Sequence, residues 1–150
     1  MRLRLISAVV ILALVLNSCQ KDKFQTNPQI SFKRYSNNAA QSGGLLNEYV
    51  YLQVTDKEGD FDNNCYIYIK NLVTDTARLD SINFPDLTGI STASLKDFEL
   101  SVNIGSLLAP SNQPSTPYTD TLLFRMYIKD KAGNQSNVLD TPEPFYLITP

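Results

Sequence analysis

Four carboxylates stand at alternate positions in Asp56-Lys57-Glu58-Gly59-Asp60-Phe61-Asp62-Asn63-Asn64, the richest polar loop of the chain. Asp56, Glu58, Asp60 and Asp62 carry the hard oxygen donors that calcium prefers. The spacing is not that of an EF-hand: Gly59 falls at the fourth position and no Glu closes a twelve-residue ring. Lys57 offsets part of the charge, and an interstrand loop made soluble by its acids is the plainer reading of the same residues. Calcium is the one cofactor this pattern suggests. The chain has no histidine, which removes the common zinc sites and triads of the serine-protease type. Cys65 opens an alternating run with Ile67 and Ile69, and with no His to activate it reads as a small buried hydrophobe. A carboxylate-pair glycosidase needs two acids facing each other across a cleft, whereas the acids here cluster in loops. No catalytic residue is assigned, and the chain reads as a non-enzyme.

A second candidate set is aromatic: Tyr66, Tyr68, Arg125 and Tyr127 alternate with apolar residues. A tyrosine is an apolar body with a polar tip, suited to stacking on sugar rings or to a protein contact. Tyrosines are also simply favoured in strands, where they pack across neighbours. Tryptophan, a frequent sugar platform, is absent.

These residues must be positioned by strands. Apolar residues recur with period two in Ile30 and Phe32, in Val50, Leu52 and Val54, and in Cys65, Ile67 and Ile69. They recur again in Phe98, Leu100, Val102 and Ile104, and in Leu122, Phe124, Met126 and Ile128. Such alternation marks strands with one buried face. A weaker strand is expected near 78–84, after a turn at 71–77. A last one is expected at 138–148, where Pro142 and Pro144 suit an edge. Residues 37–44 read as a loop. No segment has a convincing helical period. About seven strands separated by turn signals predict an all-β, immunoglobulin-like two-sheet sandwich, with a small barrel as the alternative. In immunoglobulin order the strands at 65–70 and 121–129 share a sheet, with Tyr66, Tyr68, Leu123, Arg125 and Tyr127 facing outward.

The start of the chain carries an address. Arg2 and Arg4 precede twelve uncharged residues, Leu5 to Leu16, too short a run to cross a bilayer and of the length of a secretory h-region. Leu16-Asn17-Ser18-Cys19 then resembles the lipobox of bacterial lipoproteins. The resemblance implies a diacylglycerol on Cys19, cleavage after Ser18 and acylation of the new amine, which together give firm membrane attachment. The expected division is a signal peptide at 1–18, a lipidated N-terminus and tether at 19–28, and one domain at 29–150. Gln20-Lys21-Asp22-Lys23 resembles the export signal of Bacteroidetes lipoproteins, with Lys23 where a second acid is usual. It implies an outer-membrane protein at the cell surface, with a periplasm-facing anchor as the alternative.

Loss of residues 1–18 would leave eleven basic and fifteen acidic residues, a net charge of −4. A mildly acidic chain without a basic cluster is a poor partner for nucleic acid. With Cys19 lipidated, Cys65 has no disulfide partner, so stability must come from packing. The stretch Phe124 to Asn137, which holds Asp130-Lys131-Ala132-Gly133-Asn134, resembles the last hairpin of bacterial immunoglobulin-like domains, with Gly133 and Asn134 suited to positive φ. The layout as a whole looks like small Bacteroidetes lipoproteins of unassigned function. Asp75-Thr76-Ala77, Asp80-Ser81-Ile82 and Asp120-Thr121-Leu122 resemble the O-glycosylation motif of such bacteria, which implies Thr76, Ser81 and Thr121 as acceptors. The expected function is a non-catalytic binding or structural module with a protein or glycan partner. A glycan-binding accessory of a nutrient-uptake system, or a small hydrolase, is the alternative.

Overall fold

The computed structural model describes residues 26–43, 47–84, 93–113 and 115–150. Among these residues nine strands run in chain order: β1 (Gln29–Tyr35), β2 (Ala39–Gln41), β3 (Tyr49–Thr55), β4 (Phe61–Asn71), β5 (Thr76–Asn83), β6 (Asp97–Asn103), β7 (Tyr118–Asp130), β8 (Leu139–Asp140) and β9 (Phe145–Thr149). One sheet has the order β1-β3-β6. The other has the order β2-β9-β7-β4-β5, with β8 added beside β7. The two pack face to face as an all-β sandwich, and β4 and β7 lie side by side as immunoglobulin order requires.

The alternation written in the sequence produces this packing. In β3 the burial pattern changes at every residue, so Val50, Leu52 and Val54 point inward. Phe124, Met126 and Ile128 of β7 and Cys65, Ile67 and Ile69 of β4 meet them from the other sheet, in one continuous core. Tyr35 sits among Phe32, Phe124 and Phe145 with edge-on ring contacts of 5.1, 6.3 and 5.8 Å. Its hydroxyl donates to the Glu143 carbonyl at 2.9 Å, and burial pushes its pKa up to about 12. Burial likewise raises the Cys65 thiol to about 12, and this cysteine packs as a core residue beside Ile67 and Ile69.

Several expected boundaries move. β2 forms inside the segment read as a loop at 37–44, where Ala39, Ala40 and Gln41 pair in parallel with Tyr146, Leu147 and Ile148. β9 therefore lies between β2 and β7 and is not an edge; Pro142 and Pro144 precede it. β4 starts at Phe61 and β5 at Thr76, each earlier than expected. A register shift between Phe61 and Cys65 takes up the extra residues, and Asn63 there has φ 60°. In the β7–β8 turn Gly133, with φ 85°, alone takes the left-handed conformation expected of both Gly133 and Asn134.

The outer edge of β7 changes partner along its length. It pairs with β9 over Tyr118–Leu122, with β8 at Arg125 and Met126, and with Gln135 at Lys129. Side chains help to fill the gaps. Thr141 Oγ1 accepts the Phe124 N–H at 3.2 Å, and Ser136 Oγ accepts that of Ile128 at 3.0 Å. A buried N–H left without an acceptor costs about 1–3 kcal/mol. Thr141→Val should lower stability in urea denaturation by about that amount, while Thr141→Ser, which keeps the hydroxyl, should lose clearly less.

Candidate functional site

The acidic loop joins β3 to β4, and its carboxylates divide by burial. Asp56 is fully buried. Its two oxygens accept the Glu58 N–H at 3.2 Å and the Asp60 N–H at 3.1 Å, which closes the turn, with Gly59 at φ 68°. Glu58 is exposed, and Asp62 is half-buried on β4 with its carbonyl bonded to Asn64 Nδ2 at 3.0 Å. A second turn docks on the first: Lys131 N–H donates to the Asp60 carbonyl at 2.9 Å. In that turn the buried Asp130 carboxylate accepts the Asn134 N–H and Nδ2–H, each at 2.7 Å.

Among the described residues no group of three or more His, Cys, Asp or Glu is arranged to hold a metal ion. The set Asp56, Glu58, Asp60 and Asp62 thus does not assemble as calcium ligands here. Asp56 is spent on backbone donors, and Glu58 faces solvent.

Asp60 is the unusual member. Its Oδ1 is buried without a hydrogen-bond partner. Burial first, then the charges of Asp56 and Asp130, raise its carboxyl above the ordinary range. The folded form therefore binds a proton at Asp60 more readily than the unfolded chain does. The stability this contributes is fully present below the ordinary Asp range and is lost as pH rises through the raised value. Asp60→Asn removes that loss: the variant should melt higher than the wild type at neutral pH. The gap should close as pH falls below the ordinary Asp range.

The aromatic candidates do come together, on the outer face of the six-stranded sheet. Register places Tyr66 between Ser81 and Tyr127, and in the next row Tyr68 between Leu79 and Arg125. The Tyr66 and Tyr127 rings stack on each other at 4.8 Å with 9° between planes, and Lys129 Nζ lies 5.4 Å from the Tyr66 ring centroid. Arg125 is held by Asp140 through Nε at 2.6 Å and Nη2 at 3.0 Å, so its guanidinium is already committed. That pair raises the Arg125 pKa and holds the Asp140 carboxyl below its usual range. What stays open is apolar: Tyr68 is 40% exposed and Leu79 64%. Further along the same sheet, Tyr146 and Ile148 of β9 are also exposed. Leu79 was not among the sequence candidates, because β5 was legible only as a weak strand; its pairing with Tyr68 would have marked it.

The outer face of the three-stranded sheet is closed by charge. Glu99 takes both Arg34 guanidinium nitrogens at 3.0 and 3.1 Å and Lys33 at 2.7 Å, and the Arg34 guanidinium lies 3.9 Å over the Tyr51 ring. These bonds, from Arg34 first and then Lys33, bring the Glu99 carboxyl down to about 2.

Of the expected glycan acceptors, Thr76 and Ser81 are exposed on β5, and Thr121 is half-buried on β7 opposite Tyr146. Cys19 and the leader lie outside the described residues, and no helix among the described residues is long and apolar enough to cross a membrane. Comparison with protein-family models, curated proteins and solved structures finds no match to this chain.

Proposed function

We propose that the chain is a lipid-anchored outer-membrane lipoprotein acting as a non-catalytic binding module, and that it binds a protein through the outer face of β5, β4 and β7. The observation that carries this reading is the ring stack. Tyr66 and Tyr127 cover one another, so neither offers two free faces to a sugar, while Tyr68 and Leu79 leave a small apolar surface beside them. An apolar aromatic centre with polar groups around it suits a protein contact. The anchor rests on the lipobox-like Leu16-Asn17-Ser18-Cys19, and a short tether keeps the domain near the membrane that holds it. A non-catalytic role is supported by the fate of the acids: the buried ones bond to backbone N–H groups.

A photo-crosslinking residue at Ser81, in whole cells expressing the full chain, should give a discrete protein adduct. The double change Tyr68→Ser and Leu79→Ser should abolish it while leaving the melting temperature nearly unchanged, since exposed substitutions usually shift stability by no more than about 0.5 kcal/mol. A Ser81 adduct indifferent to that change would remove the surface from consideration, and retention on immobilised glycans would favour the accessory role. Surface export predicts that protease shaving of intact cells removes the domain, and that Cys19→Ser releases it from the membrane fraction.

A further inference from the structure

On its inner face the six-stranded sheet has a cleft at one end that, among the described residues, no strand of the facing sheet lines. The cavity, of about 230 Å³, lies between β4, β5, β7 and the segment 109–111. Register builds its floor in two rows. Thr76, Asn71 and Leu122 stand side by side in one, and Arg78 stands beside Ile69 in the next. Ala109, Pro110 and Ser111 form the opposite wall.

The wall is pinned in place. Asp120, fully buried, accepts the Ser111 N–H at 2.8 Å, Ser111 Oγ–H at 2.5 Å and Asn71 Nδ2–H at 2.7 Å. The Tyr118 hydroxyl donates to the Ser111 carbonyl. Asn71 Oδ1 accepts from Val73 and Thr74, and Thr76 Oγ1 bonds to Thr74 Oγ1. The uncharged polar side chains lining the cleft are thereby already engaged in the fold, and among the described residues its remaining lining is apolar except for one group. Arg78, exposed at the rim, makes no hydrogen bond or ion pair among the described residues. Asp80, two residues along on the same side of β5, accepts the Ser81 N–H with its own carboxylate.

We propose that this cleft binds a small monocarboxylate with a compact apolar body, the carboxylate on Arg78 and the body against Ile69, Leu122, Ala109 and Pro110. A cavity of about 150 Å³ lined by apolar side chains holds a benzene ring, so this one has room for a ring and a carboxylate but not for a drug-sized ligand. Arg recognises a carboxylate through two parallel N–H bonds, a match no neutral ligand reproduces. The cleft opens on the opposite side of the sheet from Tyr68 and Leu79, so the proposal stands or falls independently of the protein-binding surface.

The test uses the full chain and two fluorinated probes of matched shape, 4-fluorobenzoate and neutral 4-fluorobenzamide, followed by 19F line broadening. The benzoate should broaden at concentrations where the amide does not. Arg78→Gln should weaken benzoate binding about tenfold or more, to the level of the amide. Ala109→Trp, which fills the cavity, should abolish binding of both. Equal broadening by the two probes in the wild type would overturn the assignment. So would benzoate binding unchanged in Arg78→Gln or in Ala109→Trp, or no broadening at all.

Discussion

Along Cys65–Asn71, each residue of β4 faces one residue of β7, and alternate pairs drop into the core: Cys65 with Ile128, Ile67 with Met126, Ile69 with Phe124. The pairs between them, Tyr66 with Tyr127 and Tyr68 with Arg125, face outward. One strict register thus builds the middle of the sandwich and its surface together. A slip of one residue would exchange the two sets, placing Tyr, Arg and Lys inside. With Cys65 buried and free, no disulfide among the described residues supports this arrangement. The core contacts of β4, β7 and β3 carry the stability.

The polar chemistry of the chain is bound to the same frame. Among the described residues six polar side chains are buried: Asp56, Asn71, Asp120, Asp130, Ser136 and Thr141. Each accepts a hydrogen bond from a backbone N–H. A sandwich whose strands change partners leaves main-chain donors at its corners, and a buried donor must find an acceptor. Short carboxylates, amides and hydroxyls are the side chains that reach them. Burial alone would push the Asp120 carboxyl up, yet the bonds from Ser111 and Asn71 together outweigh it and hold it below its ordinary range. Such an acid stays ionised and engaged, the opposite of a group poised to exchange protons with a substrate. Asp60 is the exception, because its Oδ1 has no donor to receive.

This division explains what was legible in the sequence. Period-two alternation gave β3, the second half of β4, β6 and β7, and correctly turned Tyr66, Tyr68, Arg125 and Tyr127 to one side, because the pleat admits no other placement. It could not give β2, whose Ala-Ala-Gln has no alternation and is held by parallel pairing with β9. It could not give the turn carboxylates either. Asp56 and Asp62 look alike in sequence, yet one closes a turn inside the protein and the other sits half-exposed on β4. That difference depends on where the backbone of Glu58 and Asp60 points, which is settled only when Lys131 and Lys96 pair with the loop. Arg78 was invisible for a related reason. Its place beside a cavity depends on the segment 109–111, more than thirty residues further along the chain and tied down by Asp120.

The two outer faces of the sandwich then differ in a way that bears on use. Over the three-stranded sheet Glu99 gathers Arg34 and Lys33, and Gln53 Nε2 bonds Asp97 Oδ1 at 2.5 Å, so its long side chains are engaged with each other. Exposed ion pairs of this kind add little stability, but they leave few unpaired charges and little apolar area for a partner. Over the six-stranded sheet Arg125 pairs with Asp140 and Lys70 with Asp75, Lys129 lies over the Tyr66 ring, and Tyr68 and Leu79 stand side by side on the same face. What differs is the apolar surface left beside the pairs: Tyr68 and Leu79 are exposed, whereas among the described residues no large hydrophobic of β1, β3 or β6 is. Covering apolar area is favourable, whereas covering a surface made of ion pairs carries their desolvation cost. The outer face of β5, β4 and β7 is therefore the cheaper of the two to bury.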